Sequence, residues 1–365
     1  MTLISRRQWQ RLLLLALSLL LNACSTLAWY RQAAVGQLDL LSRREDLDQV
    51  IKHSSPPLSD QLRYLRAARD YASQHLALPD NGSYRSYAEL QRDAAVWTLV
   101  VTPELSLQPM QWCYPLIGCQ AYRGYFTEYK AVQQAHRWSL QGYDSLVLPT
   151  PAYSTLGWFD DPLLNTMLTD DWAQTAGLIF HELAHQVVYV DDDTVFNESF
   201  ATWVEREGTR QWLLHRAQAE EMTQWRQNQQ LQSSYFSLMN DTRAQLAALY
   251  RQPQPPAELR LGKQRLLQQL REQLAAVGLR SPEPLNNAQF AMLAVYEDGV
   301  RRFAELFQCH NGDWQQFYAA VEQRARWPSE RRRQWLRENV DTAGEVCHLT
   351  RAPGQMTTSA GADYQ

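Results

Sequence analysis

Histidine is scarce in this sequence, with 8 among 365 residues, and cysteine scarcer still at 5. Lysine and arginine form no block: 35 basic against 39 acidic residues leave a formal charge of −4. Without a basic stretch to neutralise phosphates, nothing here marks nucleic acid as a partner. No internal repeat is present, which removes solenoids and propellers from consideration. The one long apolar run, Leu12 to Leu21, is too short to span a bilayer as a mature helix. Past Cys24 the cysteines are Cys113, Cys119, Cys309 and Cys347, and their spacing lacks the close pairs of a structural zinc site.

What is there begins at the amino end. Arg6, Arg7 and Arg11 precede the apolar run, the order of an export signal. Leu21-Asn22-Ala23-Cys24-Ser25 resembles the bacterial lipobox, with cleavage before Cys24 and lipidation of its thiol. Residues 1–23 are therefore expected to be a signal peptide, and the mature protein anchored to a membrane rather than spanning it. An ordinary signal peptide cleaved elsewhere is the alternative. Ser25 after the lipidated cysteine resembles the Gram-negative outer-membrane sorting signal, so the expected location is the bacterial envelope, on the outer membrane facing the periplasm. Four cysteines in an exported chain favour two disulfides, Cys113 with Cys119 and Cys309 with Cys347.

Residues 24–80 read as an anchor-proximal helical segment. Leu38 and Leu41, then Leu47, Val50 and Ile51, then Leu62, Leu65 and Ala68 recur at helical spacing. Pro79-Asp80-Asn81-Gly82-Ser83 has the composition of a turn. Ala95 to Val101 predicts a strand, and Thr127 to Gln141 a helix. Between them lies an aromatic, glycine-bearing loop from Pro109 to Phe126, either stapled onto the core or lining a cleft. Ser145–Pro149 and Ala152–Phe159 predict further strands. The second is a candidate sheet edge for an extended peptide, with Tyr153 and Gly157 binding substrate. From Asp171 onward the pattern is helical, with Asp170 or Asp171 capping one helix and Asn197 the next. Pro253 to Pro256 divides a helical hairpin, Asn286 to Phe307 reads as one helix, and 351–365 as a disordered tail.

The chemistry concentrates in His181-Glu182-Leu183-Ala184-His185. Two imidazoles four positions apart share a helix face and can reach one zinc ion, with Glu182 beside the metal's water. At this histidine content chance supplies only about 0.01 such matches per chain. A catalytic site needs a third protein ligand. Glu198 is favoured, because the 12 residues after His185 allow one more helical turn and a reversal. Glu205, two turns further along the same face, competes for the role. The expected cofactor is one Zn2+ per chain.

These residues, with Asn197-Glu198-Ser199-Phe200-Ala201-Thr202-Trp203-Val204-Glu205, resemble the paired motifs of the gluzincin aminopeptidases, which implies Glu198 as zinc ligand. Ser199 stands where those enzymes carry glycine, and the linker between the motifs is shorter. Val295-Tyr296-Glu297-Asp298-Gly299 resembles their Y-E-K-G stretch, which implies Tyr296 as the donor that stabilises the tetrahedral intermediate. Their amine-holding G-x-M-E-N segment has no counterpart here. Over nearly its whole length the chain is more similar to a family of bacterial aminopeptidase lipoproteins, through Leu78 to Tyr84, Ala152 to Pro162, and Leu285 to Ala288. The fold this implies is α+β: a mostly helical zincin-like catalytic domain over 81–350, with a small upstream sheet (95–160) and a helical part (171–350), the active-site helix beside the sheet edge. The implied function is a zinc metallopeptidase of the envelope, an aminopeptidase acting on peptides with Glu182 as general base. An envelope quality-control endopeptidase and a non-catalytic binding or assembly lipoprotein with structural zinc are the alternatives.

Overall fold

The computed structural model describes residues 29–337 apart from 115–117, 153 and 298, and only the backbone of 294–297. The expected signal peptide, Cys24, Tyr153, Cys347 and the tail lie outside the described residues. The fold is α+β and mostly helical, as the sequence patterns imply. No helix among the described residues is long and apolar enough to cross a membrane.

A first helix, α1 (29–42), leads into β1 (Arg44–Asp46), α2 (Leu47–His53) and α3 (Pro56–His75). There follow β2 (Ser86–Ala88), β3 (Val96–Pro103), the hairpin β4 (Trp112–Tyr114) and β5 (Gly118–Gln120), β6 (Arg123–Tyr125), α4 (Glu128–Ser139), β7 (Tyr143–Thr150) and β8 (Leu163–Leu164). The remainder is helical: α5 (Trp172–Val187), α6 (Thr194–Arg216), α7 (Ala219–Tyr250), α8 (Pro256–Ala276), α9 (Asn287–Glu297), α10 (Val300–Cys309), α11 (Trp314–Ala325) and α12 (Ser329–Arg337).

Where one small sheet is expected, three form among the described residues: β1-β2-β8, β6-β3-β7 and the β4-β5 hairpin. In the second, β3 pairs antiparallel with β7 from Val96↔Thr150 to Pro103↔Tyr143. Its Val and Leu residues suit a strand buried on both faces, packed against α4 on one side and α9 on the other.

The largest core gathers apolar faces of α2, α3, α5, α6 and α10–α12, with Leu62, Phe180, Phe196, Phe200, Phe303 and Phe317 at its centre. A separate core holds the α7–α8 hairpin against α9 through Met239, Leu246, Leu270, Leu274 and Phe290. Cys113 and Cys119 are disulfide-bonded across the β4–β5 register, and Cys309 is also disulfide-bonded.

Two expectations are corrected. None of the described residues of 152–159 is in a strand. Thr155 donates from its N–H and Oγ1 to the buried Asp161 carboxylate, at 2.8 and 2.9 Å, which folds the segment back on itself. Leu156 and Gly157 then take left-handed φ of 55° and 82°, and Trp158 N–H closes the turn on Thr155 O at 3.0 Å. The helix that carries the two histidines, α5, packs chiefly against α6 and then α3. The helix expected over Asn286–Phe307 is two, α9 and α10, divided at 298–299.

Candidate metal centre

α5 starts at Asp171, whose carboxylate caps the helix by accepting Gln174 N–H at 3.0 Å. Ala176, Ile179, Phe180, Leu183 and Ala184 bury its apolar face, and His181 and His185, one turn apart, are buried with them. α6 runs back alongside. Phe196, Phe200, Ala201 and Val204 anchor it in the same core and carry Glu198 inward to 7% exposure.

His181, His185 and Glu198 each offer one ligand atom, all within 4.8 Å of one another. His181 Nε2 stands 3.2 Å from Glu198 Oε2, and His185 Nε2 3.7 Å from the same oxygen. Donors bonded to one tetrahedral ion at ordinary zinc–nitrogen lengths would stand about 3.3 Å apart, so the buried N, N, O set fits a divalent metal. Glu205 does not join the cluster. Its Oε2 lies 3.0 Å from His181 Nδ1, on the far side of the imidazole. A proton on Nδ1 donated to Glu205 leaves the Nε2 lone pair facing the cluster.

The charges are tightly coupled. Burial pushes the Glu198 carboxyl up, but the nearby His185 and the hydrogen bonds from both imidazoles outweigh it and hold the group at about 2. For His181, burial acts downward, yet its hydrogen bonds to Glu198 and Glu205 raise it well above the ordinary imidazole value. Burial raises Glu182, against the pull of the two histidines.

Further residues hold this arrangement. Gly177 on α5 faces α6, where a Cβ would stand 2.6 Å from Thr209 Oγ1 and 3.1 Å from Glu205 Cγ. Glycine thus permits the close helix approach that lets Glu205 reach His181. Asp193, not Asn197, caps α6 by accepting Phe196 N–H at 3.3 Å. Asn197 instead clasps Val190, accepting its N–H at 2.9 Å and donating to its carbonyl at 2.8 Å, which fixes the loop between the two helices.

Ser199 has a task of its own: its Oγ accepts Gly299 N–H at 3.2 Å. That bond ties the stretch after Tyr296 to the residue next to Glu198. Tyr296 itself stands in the last turn of α9, which packs on α6. Gly157 lies against Gln186, the residue after His185.

The 78–84 turn reaches the site as well. Buried Arg69 gathers the carbonyls of Ser83, Pro79 and Asn81 at 2.8, 2.8 and 3.1 Å. Asn81 Nδ2 then donates to Gln186 Oε1 at 2.7 Å, and Gln186 Nε2 to Ser83 Oγ at 3.2 Å. Tyr84, with φ of 60°, is buried in the field of Glu182 and Asp161. Sequence reading missed Tyr84 and Tyr122, from segments far away in the chain: burial raises both phenols, with Glu182 adding to it for Tyr84 and Glu198 for Tyr122. No local signal singles them out among 17 tyrosines.

A mostly helical α+β protein in which two imidazoles and a carboxylate converge in the core, with the half-buried Glu182 carboxylate beside them, has a centre that can hold a metal ion. The chain belongs to the family described as "Putative aminopeptidase", whose sequence profile matches residues 28–336. No curated protein and no solved structure matches it.

Proposed function

We propose that this protein is a zinc-dependent metallopeptidase of aminopeptidase type, anchored in the bacterial envelope by a lipid on Cys24. The observation that carries the reading is the convergence of His181, His185 and Glu198, with Glu182 half-buried beside them and Glu205 orienting His181. The nitrogen and carboxylate donors suit zinc. Membership of the family described as "Putative aminopeptidase" supports peptide as substrate.

His181, His185 and Glu198 hold the ion. When bound, it acidifies a water and polarises the scissile carbonyl. Glu182 accepts the proton of the attacking water and passes it to the departing amine. Glu205 keeps the His181 ring in one tautomer and orientation throughout. The packed faces of α5 and α6 hold these groups on rigid elements rather than on loops.

Glu182→Gln keeps the shape of the side chain while removing the base. Peptide hydrolysis should disappear while bound metal, measured by elemental analysis, stays at one per chain. Undiminished hydrolysis by that variant would rule the mechanism out. One sequence feature favours endopeptidase action as a second reading: the missing G-x-M-E-N segment removes the group that holds a free amine in the enzymes this chain resembles.

A further inference from the structure

Arginine collects where α10, α11 and α12 meet. Arg324, in the last turn of α11, is buried at 0% exposure. Its guanidinium lies over the rings of Trp327 and Trp335, at 5.4 and 5.2 Å from their centroids. Arg331 lies over the first of these rings at 4.0 Å and Arg302 over the second at 5.5 Å, so three cations share one aromatic wall. Arg302 has Glu305 at 2.9 Å, and Arg331 is exposed to water. Arg324 has neither. Its Nη1 donates to Ala320 O at 2.9 Å within its own helix, and the charges that act on it are those of Arg302 and Arg331. Its Nε and Nη2, both buried, meet no acceptor among the described residues, and neither does the buried Nε1 of Trp335.

A buried guanidinium without a counter-charge is costly, and aromatic faces offset only part of that cost. The two orphan nitrogens also form a particular pair. Nε and Nη2 make up the edge of the guanidinium whose N–H bonds run parallel, the edge that receives two oxygens of one oxyanion together. We propose that this edge of Arg324, walled by Trp327 and Trp335, is a binding site for one small inorganic oxyanion. Burial, then the charges of Arg302 and Arg331, lowers the guanidinium to about 10, so it remains a cation at neutral pH. The bound anion offsets that charge and ties α11 to α12. Because α12 also carries Arg332, which meets Asp193 at the start of α6, occupancy steadies the corner on which α6 rests. Nothing in this site depends on the metallopeptidase reading.

The test uses the full chain dialysed into a buffer whose anion is gluconate, too bulky for an enclosed edge. Ion chromatography of the denatured chain reports any oxyanion already retained. Inorganic phosphate and sulfate are then the probes, with chloride at equal ionic strength as the control. Either one oxyanion per chain is retained, or calorimetry gives one saturable site that chloride does not fill, and the urea midpoint rises with the logarithm of phosphate concentration. Arg324→Met should lose the site and keep only the general salting-out response to sulfate. Arg324→Lys keeps the charge without the fork. It should fold even where the methionine variant does not, and bind phosphate at least about 10-fold more weakly, with metal content unchanged. Parental phosphate affinity in Arg324→Lys overturns the proposal. So does a parent chain with no retained oxyanion and no saturable heat, or one that chloride serves equally well.

Discussion

Glu198 and Glu205 lie two turns apart on one helix face, and each has the chemistry of a metal ligand. Their positions differ in what they meet: Glu198 faces Nε2 of His181, Glu205 faces Nδ1. Glu205→Gln should therefore weaken metal binding about 10–100-fold without abolishing it, whereas Glu198→Gln removes a ligand outright. Metal titration against a competing chelator separates the two. The same cluster sets a pH dependence. In the metal-free protein Glu198 is depressed to about 2 from 4.5, so its stabilisation is complete above pH 4.5 and is lost as pH falls toward 2. His181 is raised above 6.5, so its stabilisation is complete below pH 6.5 and is lost as pH rises through its folded value. Both contributions are in full force between 4.5 and 6.5, and urea unfolding of the metal-free chain should show the His181→Ala deficit largest in that window. Binding metal expels the proton from His181, so affinity should rise with pH. The pair of histidines and the adjacent glutamate were legible from their spacing alone. Which glutamate completes the set depends on how closely α5 and α6 approach, and Gly177 decides that.

At the scale of elements, the start of α6 is held by a buried ion pair. Asp193 caps the helix and meets Arg332 of α12, with Oδ2 2.6 Å from Nε and both side chains 7% exposed. Arg332 also donates to the carbonyls of Ala325 and Trp327. Replacing Arg332 by methionine leaves a buried carboxylate without its cation and should cost about 3–5 kcal/mol by chemical denaturation. Asp193→Asn should cost less, because the amide oxygen still caps the helix. The sequence placed a cap near Asn197, four residues late: several polar residues in 191–197 can accept an orphan N–H, and the loop's path selects among them. The apolar stretch 152–159 shows the opposite failure. Its composition suits a strand, but Thr155 and Asp161 bond one another and close a turn. Side-chain bonds of this kind leave no periodic trace.

For the whole molecule, the site sits in the largest core, the α7–α8 hairpin in a core of its own, and the aromatic disulfide loop bonds the segment between α5 and α6 through Cys119 and Asp192. This arrangement bears on substrate. If hydrolysis requires a free amine, matched peptides with free and acetylated amino ends should differ in kcat/KM by 10²-fold or more, about the discrimination expected when a buried charged partner is left unpaired. Equal rates on the two would assign endopeptidase action. Helical periodicity, the H-E-x-x-H spacing, the prolines between α7 and α8 and the glycine-bearing turns are local properties, written in residues close enough to interact along one element. The sequence by itself therefore determined the helical class, the two histidines with Glu182 beside them, and the candidate carboxylates. The tertiary structure alone decided that Glu205 meets Nδ1 of His181 while Glu198 meets Nε2, that Ser199 receives Gly299, and that Arg69 holds the turn that leads into buried Tyr84. Those outcomes depend on packing between segments tens to hundreds of residues apart, where close approach, burial and hydrogen-bond pairing select one arrangement from many that local patterns permit.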